Sequence, residues 1–210
     1  MSEPDFAAEF AEIIEKWNSI EKRLKEAEQI CGDAVVAAIN ELRYAGRQFV
    51  DAMAIYTKGH LTEEDITAVK KHLHNVRYNL MNADHDCTDA VCLFFHERVK
   101  RITSEYDLEL IIELFPNYQE LFDRMDGANK AIAGSREDRQ NRLATYRALA
   151  DFHVPRLYEF HQTILTSEAL MLAHKKRTSA KRKAAKFINI VLAIVIAALI
   201  FLLVRSRWGQ

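Results

Sequence analysis

Apolar residues recur at alternating steps of three and four along most of this chain, a period that keeps them on one side only in an α-helix. The first stripe runs Phe6, Phe10, Ile13, Trp17, Ile20, Leu24, Ala27 and Cys31, and Gly32-Asp33 then shifts the phase. Val35, Ile39, Leu42, Gly46, Phe49, Met53 and Tyr56 make a second stripe, closed by Lys58-Gly59-His60. Thr62, with Asp65 three residues on, has the pattern of a helix cap and opens the longest stripe, Ile66, Val69, Leu73, Val76, Leu80, Ala83, Cys87, Ala90 and Phe94. A fourth comprises Leu108, Ile111, Phe115, Tyr118, Phe122, Met125 and Ile132, which Pro116 should kink or split. Gly134-Ser135 should end it, with Ser135 and Asp138 resembling another cap. The fifth runs Leu143, Tyr146, Ala150, His153, Leu157, Phe160, Ile164, Ser167 and Met171. Only six glycines and three prolines occur in 210 residues, which leaves little room for strands or long loops. The expectation is an all-α, elongated bundle of about five helices with shallow crossing angles.

A second pattern follows the bundle. Phe187–Val204, FINIVLAIVIAALIFLLV, carries no charge. At about 1.5 Å per residue it has the length of a single transmembrane helix. Lys175, Lys176, Arg177, Lys181, Arg182, Lys183 and Lys186 precede it without an intervening acid, a composition suited to an anionic membrane surface. The chain divides accordingly into an acidic bundle over 1–174, a basic juxtamembrane segment over 175–186, a span over 187–204 and a tail over 205–210. The near-neutral total of 29 basic and 30 acidic residues conceals this division, because nine of the basic residues and none of the acidic ones follow His174. The bundle is then strongly acidic, which argues against general nucleic-acid binding. More positive charge precedes the span than follows it, so the bundle should face the cytoplasm, from the inner membrane in a bacterium. The N-terminus shows no signal-peptide pattern, so insertion would follow synthesis of the span. Cys31, Cys87 and Cys92 form no disulfide framework and read as reduced thiols.

Candidate chemistry is sparse. In NADHDCTDAVCLFFHE, the residues His85, Asp89, Cys92 and His96 share one helical face at metal-ligand spacings. Four such groups spread over three turns cannot all reach one ion, and the alternative is a polar outer face of the bundle. Tyr78, His85, Cys92, Phe95 and His96 point away from the main stripe, as expected where a helix packs on a second neighbour or on a partner subunit. Two Arg/His pairs, Arg156 with His161 and Arg147 with His153, would suit RNA cleavage, with Arg stabilising phosphoryl charge and His acting as acid or base. Five residues of helix rotate by roughly 140°, which works against Arg156 and His161 meeting. No glycine-rich phosphate loop or nucleophile elbow is present, and no cofactor is expected.

AINELRYAGRQFVDAM, Ala38 to Met53, followed by KKHLHNVRYNLMNADHDCTDAV, Lys70 to Val91, resembles the helical pairs of HEPN-like domains of bacteria and archaea. The resemblance implies an α-helical, oligomerising protein of prokaryotic defence or stress response, and some membrane-bound relatives act as pores. Many family members are RNases using an Arg-x4-6-His motif, which falls on Arg156 and His161, or second on Arg147 and His153. The family often has a polar residue after the Arg, where this chain has Leu157 and Ala148. The expected function is therefore a membrane-anchored accessory or effector whose partners are anionic lipid and a homo-oligomer or helical protein. A tethered RNase acting on RNA and a tail-anchored adaptor are the alternatives.

Overall fold

The computed structural model describes residues 6–138 and 140–208, with the side chains of the last helix described as far as Ala197. The chain is all-helical, and no strand occurs among the described residues. Helix α1 spans Phe6–Cys31, α2 Val36–Tyr56, α3 Glu63–Glu105, α4 Leu108–Leu114, α5 Tyr118–Glu137 and α6 Arg142–Ala148. A π-helical turn at Leu149–His153 then leads into α7, Val154–Trp208.

Helix α3 is the spine. Its 43 residues extend about 64 Å, and its two halves carry different neighbours. Around the first half, α1 runs parallel to it and α2 antiparallel, so that Arg77 reaches Glu9 and Glu12 while Gln48 of α2 meets His72 and Asn75. Around the second half, α5 runs antiparallel and α7 parallel. Here His96 meets Asn129, and Arg98 and Arg101 bind Glu168. The sequence ends each helix in a recognisable way. Gly32 and Gly59 take positive φ of 70° and 81°, which lets the chain turn after α1 and after α2. Thr62 and Asp65 form a reciprocal capping box at the start of α3.

The first stripe packs as read, with Trp17 and Cys31 only half-buried. In α2 the buried line falls instead on Ala38, Leu42, Ala45 and Ala52, while Ile39 is exposed. Alanines seven residues apart let α2 lie close to its neighbours, and the bulkier residues beside them fill the flanks. Pro116 splits the fourth stripe into α4 and α5, and Leu108 and Phe122 are exposed. Ser135 does not cap a helix: α5 continues to Glu137, and the Ser135 hydroxyl donates to the Ile132 carbonyl. The fifth stripe is interrupted by the π turn, so Leu149 and Val154 are buried while His153 is only half-buried. Pro155 has no N–H to donate to the preceding turn, which suits it to the helix start just after this widened turn.

Beyond Met171, α7 leaves the bundle and continues as a single helix through the basic segment into the apolar one. Among the described residues, no helix is long and apolar enough to cross a membrane. The expected span Phe187–Val204 continues past Ala197, and the side chains of 198–204 lie outside those described.

Candidate functional site

The polar cluster of α3 lies where the two halves of the molecule overlap. Of the two readings of this face, a polar outer surface or packing on a second neighbour, the second holds for three of its residues: His85, Cys92 and Phe95 are at most 3% exposed, with Tyr146 of α6 on His85 and His161 of α7 on Phe95. Tyr78 and His96 do remain exposed. The His85 ring stacks on Tyr146 at 3.9 Å, and the Tyr146 hydroxyl donates to both Asp89 oxygens at 2.8 and 3.0 Å. On the opposite side Arg23 of α1 donates to Asp84, and Cys31 Sγ donates to the Ala90 carbonyl.

Burial governs the ionisation of this cluster. It pushes His85 down to about 4, helped by Arg142, Lys16 and Arg23, so the imidazole is neutral. It raises the Cys87 and Cys92 thiols to about 12 and Tyr146 to about 12, the last reinforced by Asp89. It also raises the Asp84, Asp86 and Asp89 carboxyls above their ordinary range. These thiols are unreactive. The metal-ligand candidates have separate engagements: Asp89 accepts from Tyr146, His96 Nδ1 pairs with Asn129 at 2.8 Å, and His85 lies against Tyr146. Among the described residues, no three metal-ligating side chains are grouped.

The structure does not bring the Arg156/His161 pair together. Arg156 binds Glu120 of α5 at 3.1 Å, together with Glu159, and these contacts raise its pKa. His161 lies against Phe94 and Phe95 of α3, lowered by burial and by Arg98. Arg147 is exposed on α6, whereas His153 Nδ1 is buried without a hydrogen-bond partner and its Cε1 lies within 3.8 Å of the place where a Gly127 Cβ would stand.

The basic segment Lys175–Lys186 is exposed along α7. Lys175 pairs with Glu105 at 3.5 Å and stands over the Tyr106 ring at 5.2 Å, which holds the segment's first turn to the end of α3. Tyr106 was not legible as a site residue, because nothing in sequence spacing brings the end of α3 beside a helix that begins almost fifty residues later. Beyond it, apolar side chains emerge on every side of the helix, with Phe187 68%, Ile188 63%, Ile190 59% and Leu192 55% exposed. Comparison with protein-family models, with curated proteins and with solved structures finds no match to this chain.

Proposed function

We propose that this protein is a membrane-anchored helical accessory or effector, with its acidic bundle on the cytoplasmic side and α7 as the anchor. One observation carries the reading: α7 is a single helix that packs in the bundle through Leu157, Phe160 and Ile164, then presents basic and finally apolar side chains all round. A helix apolar on its whole circumference is stable when it is covered by protein or by lipid. Among the described residues, as far as Ala197, no part of the bundle covers this one. The adjacent cations favour an anionic bilayer surface as the boundary.

The resemblance to HEPN-like proteins supplies the setting of prokaryotic defence and the expectation of self-association. The exposed apolar groove of Ile14, Trp17, Phe49 and Val50 between α1 and α2 is consistent with a partner helix. A membrane role is favoured over RNA cleavage because Arg156 is committed to Glu120 while His161 faces α3.

The test is flotation of the full chain on neutral phosphatidylcholine vesicles, beside the double variant Leu192→Lys/Val195→Lys. Each lysine at a bilayer centre costs about 2.5–3.5 kcal/mol, so the variant should remain unbound with unchanged helicity while the parent chain floats. Flotation of both proteins alike, or of neither, would overturn the anchor.

A further inference from the structure

The basic segment is not uniform around α7. Its Lys175, Thr178, Arg182 and Lys186 follow one another at steps of three and four and line one wall of a groove of about 700 Å³. The opposing wall is the corner between α3 and α4, formed by Glu105, Tyr106, Asp107 and Leu110. Lys175 is already held by Glu105 and by the Tyr106 ring. Arg182, Lys183 and Lys186 have no ion pair among the described residues, and the Thr178 and Ser179 hydroxyls carry no hydrogen bond there. The groove thus sets four cations against two carboxylates, one of them neutralised by Lys175, and adds two free hydroxyls. Its far end, at Asn189, opens onto the first turn of the apolar segment.

We infer that this groove binds the phosphate of an anionic phospholipid, with the headgroup between α7 and the α3–α4 corner and the acyl chains beside Phe187 and Ile190. The chemistry follows from the lining. Three unpaired cations with two hydroxyl donors satisfy a phosphate's several acceptor oxygens, and charge-assisted hydrogen bonds of this kind are the strong ones. The opening onto apolar helix favours a phosphate carried on a lipid over a free one. Ligation would also fix the rotation of α7 against the corner, so that bilayer composition bears on the packing of the bundle's membrane-proximal end.

The inference rests on the anchored reading, and the experiment separates the two. Arg182→Gln/Lys186→Gln removes two charges from the groove. Arg177→Gln/Lys181→Gln removes two from the far side of α7, roughly 200–240° around from Lys175 and outside the lining. All four positions are exposed. Full chains in neutral detergent, mixed with equal phosphatidic acid and phosphatidylcholine, are assayed for retained lipid by native mass spectrometry, with and without inorganic phosphate. The parent chain and the far-side variant should retain phosphatidic acid selectively, and the groove variant should lose it by roughly tenfold or more. Equal losses in both variants, or no loss in either, would overturn the groove while leaving flotation on neutral vesicles intact. Displacement of the lipid by equimolar inorganic phosphate would overturn the lipid as its occupant. A parent chain that fails to float overturns the anchor and the groove together.

Discussion

His85 sits at the centre of the overlap between the two halves and stays neutral there, at about 4 against 6.5 for an open imidazole. As pH falls from 6.5 towards 4, the unfolded chain takes up a proton at this position and the folded chain does not. Stability is therefore lost through that window, by about 3 kcal/mol from this residue when complete. Asp84, Asp86 and Asp89 work the other way: their carboxyls are raised above 3.8, so the folded state holds protons more readily as pH falls towards that value. His85→Phe keeps a ring on Tyr146 and removes only the first contribution. Urea midpoints measured between pH 7 and 4 should fall less steeply in the variant, and parallel slopes would contradict the assignment. Tyr146→Phe takes the hydroxyl from a partly buried Asp89, at a cost of about 1–3 kcal/mol.

Helix α2 depends on its small residues. Ala38, Ala45 and Ala52 are fully buried, and Gly46 leaves its Cβ position only 3.2 Å from the Trp17 ring. Ala45→Leu should destabilise by about 1–3 kcal/mol, measured by denaturant unfolding, because close helix contact leaves no room for the added carbons. The π turn before α7 makes the opposite prediction, since it holds more residues per turn than an α-helix. Deleting exposed Asp151 should let the turn close to α-helix and preserve the register of Leu157, Phe160 and Ile164. Deleting exposed Thr163 should rotate the lower face of α7 away from α3 and lower the thermal midpoint far more; equal effects would argue against the bulge. These elements also show what the sequence discloses. The period revealed α1 and most of α3 almost residue by residue, because their apolar side chains are large and evenly spaced. In α2 it favoured Ile39 over Ala38, since bulk was weighted above closeness of approach. In the segment before α7 it ran straight through the π turn, which leaves no break in spacing. The pattern shows that α3 has a second contact face but not which elements cover it, nor that Tyr78 and His96 of that face stay exposed while His85 and Cys92 are buried, because those details depend on tertiary contacts that no local spacing carries.

Both halves of the molecule share α3, so neither can lose its structure without uncovering the other's side of the spine. Trp208→Phe leaves Trp17, in the first half, as the only tryptophan of the two. Its fluorescence and the far-ultraviolet helical signal should then report one coincident unfolding transition. A fluorescence change that precedes the loss of helix would show two independent units. The shared direction of α3 and α7 would have a further consequence if, as proposed, the apolar segment lies in a bilayer. On that proposal the bundle would stand on end, with the turn between α2 and α3 and the start of α1 uppermost. The spine contributes about 64 Å and the twelve residues from Lys175 to Lys186 about 18 Å more. The groove of Trp17 and Phe49 would thereby be held some tens of ångströms above the lipid, like a hand on a raised arm, where it would reach only partners of matching height.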